Sequence, residues 1–432
     1  MLKQVFQLSK YPSLDSAVLR SNLRAHIFDG AIFWFAMSFV SYNTILPVFI
    51  QQVGGGIIAI GSVPVLWLLG LNLPQAMIVR LTHAPGAIKP SVLRFGILHR
   101  TSFLVVGFFT LFFVKHIPST LSVPILLGMI FLTAVSGSFG IPPWFQLFAK
   151  TTPMKLRGRL QAVRQLLGSA LGMVGGSIVA VVLAVVPFPV NFASLFITAY
   201  GLTMISYLFL KSLTEPVSEA PAPPSEVRES MIHQGMGILR KDKNFRNFLL
   251  ADSFTLMAMS ASAFYAVYAI EKFGLSPSFA GTFTVIVMAA LAAGNFVFGY
   301  LADSFGHKVN LMILAASSAM ASAVAMTAGN ILIYGLTFVF MAWTTGLQVI
   351  SRLSFVAELC SEADRPTYVA LTNTVTAPTI AVGILFGWIA RAFGFEAMFS
   401  AAILCGVCGV LWYHFCVTDP RHAMESSPLG SG

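Results

Sequence analysis

Apolar residues run along this chain in blocks, at 27–50, 55–79, 93–114, 121–146, 160–185 and 190–211. After a polar interval they resume at 246–270, 275–301, 307–328, 331–355, 366–390 and 394–417. A helix needs about 20 residues to cross ~30 Å of hydrocarbon, so each block predicts one membrane-spanning helix. The strands of a porin-type barrel would alternate polar and apolar residues instead. The fold class expected is an all-α polytopic membrane protein with twelve transmembrane helices, six before the break and six after. The predicted divisions are an N-terminal segment at 1–26, a helical half at 27–211, a linker at 212–245, a second half at 246–418 and a tail at 419–432.

Composition agrees. Of 432 residues, 56% are hydrophobic and 10% charged, against roughly 25% charged in soluble domains. That is too little charge to coat a soluble enzyme, and too much apolar surface for a disordered chain. A net charge of +10 would suggest nucleic acid in a soluble protein; here the positive-inside rule accounts for it, and no nucleic-acid partner is expected. With both termini in the cytoplasm, 23 of the 26 Lys and Arg residues count to that side, and only Lys115, Lys272 and Arg391 to the other. The asymmetry predicts a multi-pass protein of the cell's inner (plasma) membrane with both ends inside. The first 26 residues lack the apolar core and cleavage site of a signal peptide. Cys405 and Cys408 form a C-x-x-C beside Cys416, with His414 as the only further ligand nearby. They read as small buried hydrophobes, and neither metal nor cofactor is expected.

The polar interval is mixed. Residues Glu215 to Pro224 are rich in proline and predict an extended tether. From Ser225 to Arg240, Val227, Met231, Ile232, Met236 and Leu239 recur at roughly helical spacing, and a solvated, partly helical linker is favoured over a helix lying on the membrane. The halves also echo each other. Ala36-Met37-Ser38 returns as Ala258-Met259-Ser260, and the gap from Ala149 to Arg159 returns in outline from Ala357 to Thr367. Their common place relative to the blocks predicts two pseudo-symmetric six-helix bundles, the plan on which many secondary transporters are built.

After the eighth block the chain reads Gly299-Tyr300-Leu301-Ala302-Asp303-Ser304-Phe305-Gly306-His307-Lys308. This resembles the G-x-L-A-D-x-x-G-[RH]-[KR] loop of the major facilitator superfamily, over a resemblance that spans residues 20–418. It implies a two-bundle, rocker-switch transporter, working as a monomer. The equivalent loop after the second block has His83 in place of the aspartate. The superfamily's antiporter signature is not met either, because Gly172, Gly175 and Gly176 lack its proline and spacing. Drug/proton antiport is therefore not carried over, and the chain looks like one of the poorly characterised bacterial branches. The resemblance further implies a cytoplasmic gate. Asp303 would meet Arg157 and Arg159 at the start of the fifth span, with Gly299, Gly306 and Lys308 shaping its loop.

Charge inside a span is costly, so Asp29 and Asp252, at nearly equivalent repeat positions, are the coupling candidates. Pairing with Arg24, Arg164 or Arg246 is the plainer role for them, and a proton, a sodium ion or uniport all stay open. Thr344, Gln348 and Arg352 fall at i, i+4 and i+8 on one helix face. With Gln161 and Gln165 in the fifth span, and Thr372, Asn373 and Thr376 in the eleventh, they form polar stripes. The substrate-binding candidates are Ser38, Tyr42, Asn43, Gln165, Ser260, Tyr265, Trp343, Thr344, Gln348 and Asn373. Few central charges and a good aromatic supply favour a small neutral or amphipathic organic solute. Gly168, Gly172 and Gly176 have the spacing of close helix packing.

No HExxH motif, carboxylate pair or clustered histidines point to a membrane enzyme, and no filter-like loop or charge ring points to a channel. A transport-inactive sensor or assembly factor on the same fold is the remaining alternative, suggested by His83. The topology has a direct check. Cysteines introduced as Ser225→Cys should resist a membrane-impermeant reagent applied outside, while Lys115→Cys and Ser276→Cys should react; outside labelling of Ser225→Cys would overturn it.

Overall fold

The structure is a computed structural model that describes residues 6, 16–72, 87–216, 237–361 and 364–420. Those residues are helical with short connections, and no strand occurs among them. Among the described residues ten helical stretches are long and apolar enough to cross a membrane, with Lys243–Phe273, Ile331–Leu359 and Thr367–Phe393 each taken as one, and Ile57–Asn72 is a shorter apolar helix. The His83 loop and most of the amphipathic linker segment lie outside the described residues. The chain divides into two compact units: Met1–Ala59 with Leu66–Pro223 and Leu275–Met288, and Ile60–Val65 with Pro224–Gly274 and Ala289–Gly432.

The first unit holds α1 (Ala17–Ser38), α2 (Ile45–Gln52), most of α3 (Ile57–Asn72), α4 (Lys89–Phe112), α5 (Ser119–Thr151), α6 (Met154–Val185) and α7 (Val190–Lys211). Helix α1 starts ten residues before its apolar block. Ser16 caps it by accepting from the Leu19 N–H at 3.0 Å, and Leu19, Leu23 and Ile27 bury one face while Arg24 stays exposed. The polar face of that turn hides it from a hydropathy scan. The glycine stripe of α6 lets other elements approach closely. A Cβ at Gly168 would stand 2.8 Å from Trp34 of α1, and one at Gly176 would stand 2.9 Å from the Gly281 carbonyl. This is small-residue packing, in which bare backbone replaces side-chain volume.

The second unit holds α8 (Lys243–Met259), α9 (Ser262–Phe273), most of α10 (Phe279–Phe305), α11 (His307–Thr327), α12 (Ile331–Leu347), a π-turn (Gln348–Arg352), α13 (Leu353–Leu359), α14 (Arg365–Ile380), α15 (Val382–Phe393) and α16 (Phe395–Cys416). Gly306 joins α10 to α11 at φ +86°, a conformation that side chains other than glycine's resist, which explains its place in the loop motif. The first apolar block of each half is broken rather than continuous. Helix α1 gives way to irregular backbone at 39–44, and α8 ends at Met259, two residues before α9. The first break follows Ala36-Met37-Ser38, and the second begins at the serine of Ala258-Met259-Ser260. The four cysteines are free and partly buried.

Of the tether expected at Glu215–Pro224, residues 217–224 lie outside the described residues, and Glu215 at its start is bonded to the first unit. Asn22 of α1 and Thr214 exchange two hydrogen bonds, from Asn22 Nδ2 to the Thr214 carbonyl and from the Thr214 N–H to Asn22 Oδ1, each at 2.9 Å. Glu215 accepts from the Ile88 and Lys89 N–H groups at the start of α4, both at 2.9 Å, and from Lys150 Nζ at 2.8 Å. Uncapped N–H groups at a helix start favour a carboxylate, and this one supplies it from 126 residues away. Burial alone would raise the Glu215 carboxyl, but these bonds outweigh it and hold it below its ordinary value of 4.5. A depressed carboxylate contributes stability that is present above its unfolded value and lost as pH falls through the folded one. Glu215→Gln should therefore cost about 1.5–3 kcal/mol near neutral pH. The gap to wild type should close as acid protonates Glu215, which thermal unfolding between pH 3 and 7 would show.

Candidate functional site

Each unit buries one carboxylate against a guanidinium. In the first, α1 places Asp29 opposite Arg164 of α6, with Arg164 Nη2 donating to Asp29 Oδ2 at 3.2 Å. Gly30 makes this possible, because a Cβ there would stand 2.2 Å from Arg164 Nε. Ser206 of α7 donates to Asp29 Oδ1 at 2.8 Å and accepts from Arg100 Nη2 of α4 at 3.4 Å. Arg100 also donates to the Thr203 and Gly96 carbonyls at 2.7 and 2.8 Å. The Arg164 guanidinium lies 4.8 Å from the Trp144 ring centroid, a cation–π contact that partly replaces lost hydration. Its Nη1 has no hydrogen-bond partner. Nearby, the Thr151 hydroxyl gives its one proton to the Leu147 carbonyl at 2.7 Å, so His26 Nε2, 2.8 Å away, is the donor.

In the second unit α8 places Asp252 at 2.8 Å from Arg352 Nε. The Arg352 fork also donates to Asn373 Oδ1 at 3.2 Å and Thr376 Oγ1 at 2.9 Å, both on α14. Arg352 closes the π-turn Gln348–Arg352. A π-turn at Gln348–Arg352 interrupts the regular α-helix along which Thr344, Gln348 and Arg352 fall at i, i+4 and i+8. Thr344 is buried and bonded to the Met341 carbonyl, while Gln348 is half-buried. Asn310 ties this turn to the loop motif, donating to Ser351 Oγ and the Phe298 carbonyl, each at 2.9 Å.

The other candidates are spread along the same helices. Ser38 donates to the Phe35 carbonyl beside Gly175, and Tyr42 and Asn43 sit in the break after α1, with Tyr42 stacked on Trp67 at 5.9 Å. Gln165 follows Arg164 on α6 and is half-buried. Ser260 lies in the α8–α9 break and bonds the Leu256 carbonyl. Tyr265 is fully buried, with its hydroxyl at 2.9 Å from Ser322 Oγ and its carbonyl accepting from Tyr334. Trp343 packs edge-on to Phe298. Among the gating candidates, Arg157 spends two N–H groups on the Thr152 and Ala149 carbonyls. Arg159 and Asp303 are exposed, Gly299 faces open space, and Lys308 reaches the His414 carbonyl at 3.4 Å.

Sequence reading found both aspartates and named Arg164 as a partner for Asp29. It missed Arg352 as the partner of Asp252, and Arg100, Ser206 and His26 altogether. Arg100, Arg164 and Arg352 were counted with loop charges, yet all three sit within helices. Their position inside apolar blocks was the available signal. Among the described residues no group of His, Cys, Asp and Glu could hold a metal ion. Breaking a buried pair leaves an uncompensated charge, at a cost of about 3–5 kcal/mol. Asp252→Asn and Arg352→Gln should each lower the unfolding temperature sharply. The double variant should recover much of the loss, and simple additivity would mean that the pair is not coupled.

The family model described as Major Facilitator Superfamily matches residues 253–431. Among solved structures, the D-xylose-proton symporter is similar at a TM-score of 0.70 and 14% identity, over 94% of this chain and 99% of that one. The nucleoside transporter NupG is similar at 0.66 and 12% identity, over 94% and 100%. A POT family transporter in complex with 5-aminolevulinic acid is similar at 0.69 and 11% identity, over 92% and 98%. At these identities the likeness shows the fold. No curated protein matches the chain.

Proposed function

We propose that this major facilitator superfamily protein is a secondary transporter that moves a small neutral or amphipathic organic solute by alternating access. It would do so with twelve spans in two six-helix bundles, in the inner membrane, with both termini in the cytoplasm. The observation that carries the reading is the pair of breaks after Ser38 and Met259, within one residue of the same repeat position in the first predicted span of each half. Broken helices free backbone N–H and carbonyl groups inside the membrane, where they are tolerated only against protein or a hydrated path. Ser38, Tyr42, Asn43 and Ser260 stand at those breaks. The buried carboxylates support the same reading, since Asp29 and Asp252 are the groups through which a coupling ion could act. The solute and xylose or nucleoside chemistry are not equated; the neighbours supply a fold and a class of activity.

The test is uptake by the protein reconstituted in vesicles, screened with a metabolite panel chosen by ligand-induced thermal stabilisation. Gln165→Ala, Gln348→Ala and Asn373→Ala should reduce transport about tenfold, as expected where one hydrogen bond of about 1.5 kcal/mol to the solute is lost, without lowering folded yield. Normal transport by all three variants would refute their assignment. Folded wild-type protein that binds a solute but never accumulates or exchanges it would favour the sensor reading.

A further inference from the structure

The two buried aspartates differ in the charge around them and in what water can reach. Asp29 shares the interior of the first unit with two guanidinium groups, Arg164 directly and Arg100 through Ser206. One negative charge there answers two positive ones. Asp252 in the second unit faces one guanidinium, that of Arg352, and the count is even. Among the described residues the only other titratable group facing Asp252 is the Tyr413 hydroxyl of α16; α11 and α14 add none.

These counts decide what a proton would do at each place. On Asp29 it would leave two neighbouring guanidinium groups buried with no counter-charge, a costly arrangement in a low-dielectric interior. On Asp252 it would leave one, and that one is already provided for. Arg352 Nη1 donates to Asn373 Oδ1 at 3.2 Å and Nη2 to Thr376 Oγ1 at 2.9 Å. Two of its prongs therefore hold neutral acceptors on α14 whatever the charge of Asp252.

Access differs in the same sense. Asp29, Arg164 and Arg100 are buried, and so are the hydrogen bonds that link them through Ser206. The bond from Arg352 to Asp252 is only partly buried, and the bond beside it, from Arg352 to Asn373, is exposed. Water that reaches this guanidinium stands next to the carboxylate. A proton has a way to Asp252 that Asp29 lacks.

We propose that Asp252 is the carboxylate that takes up and releases a coupling proton, and that Asp29 stays ionised as a fixed tie. The proton adds to Oδ2, the oxygen that accepts from Arg352 Nε; that hydrogen bond is lost, and the new O–H is the only covalent bond to form. Arg352 stays with α14, so the ion pair that joins α8 to the π-turn is broken. That the proton drives a solute rests on the transport reading above. The exchange of the proton does not, and its test uses no solute.

The full-length protein in lipid nanodiscs would be titrated from about pH 9 to about pH 5.5, above the range in which surface carboxylates protonate, and followed by infrared difference spectroscopy. Wild type should gain the carbonyl band of one carboxylic acid in apolar surroundings. Asp252→Glu, which keeps the charge, should move that band, and Asp29→Glu should leave it in place. The double variant Asp252→Asn with Arg352→Gln leaves no charge of the pair behind; it should fold and lose the band altogether. No band in wild type, a band that moves with Asp29→Glu, or one that persists in the double variant would overturn the assignment. Uptake by vesicles is a separate readout. A titrating Asp252 in a protein that moves no solute would sink the transport reading and leave the proton site standing, whereas solute uptake without the band would do the reverse.

Discussion

An isolated charge in hydrocarbon is among the most expensive things a helix can carry. Asp29 and Asp252, the two aspartates buried within the described helices, are held accordingly. Asp29 is bracketed by Arg164 and by Ser206, which links it to Arg100, and Asp252 accepts from Arg352 Nε while the other two prongs of that guanidinium hold Asn373 and Thr376. The helices must then bring residues that are 135 and 100 positions apart within hydrogen-bond distance. Glycine at position 30 is a concession to that requirement, since a side chain there would meet the Arg164 guanidinium.

The same requirement explains what could be read in advance. Apolar blocks announce spans because the bilayer demands length and hydrophobicity in a row, and the helices fall where the blocks lie, apart from the early start of α1 and the broken first spans. Aspartates inside blocks stand out for the same reason. Their partners do not, because an arginine near a block's end reads as a loop charge until the helices are packed. Ser206 is invisible for a different reason: hydroxyls are common in membrane helices and usually bond their own backbone, as Thr376 of the eleventh-span stripe does to Thr372. The π-turn was illegible because a stripe at i, i+4 and i+8 already assumes the period that the turn interrupts.

The two units do not handle their buried charge alike. Arg164 comes from α6, the fifth span by the block count, whereas Arg352 comes from the tenth, which corresponds to the fourth of a half. The first unit also holds a second guanidinium, Arg100, near its aspartate. The carboxylates therefore keep nearly the same repeat position while their counter-charges have moved. A group that must change partners during function tolerates such relocation less well than one serving only as a tie. The difference in partners between the units accordingly separates what each aspartate could do.

What the halves do share is their closure. Asn244 and Thr418 exchange two hydrogen bonds at 2.9 and 2.8 Å, the same reciprocal pair that Asn22 and Thr214 make. The local sequences match once the contacts are seen: Asn22-Leu23-Arg24 beside Asn244-Phe245-Arg246, and Thr214-Glu215-Pro216 beside Thr418-Asp419-Pro420. Hydropathy does not single out either match, because both lie at or beyond the edges of the apolar blocks. Two short coincidences would mean little alone. Two that meet in space by the same pair of bonds, across 192 residues in one unit and 174 in the other, are far harder to produce by chance and support an internal repeat. An amide side chain is suited to this task because it donates to a carbonyl and accepts from an N–H at once, satisfying two backbone groups where the last helix of each half runs out. Each unit thus ties its first helix to the strand of backbone that leaves its last one. This closure serves a half by itself, which is why it survives in both, whereas the chemistry of the interior has been free to differ.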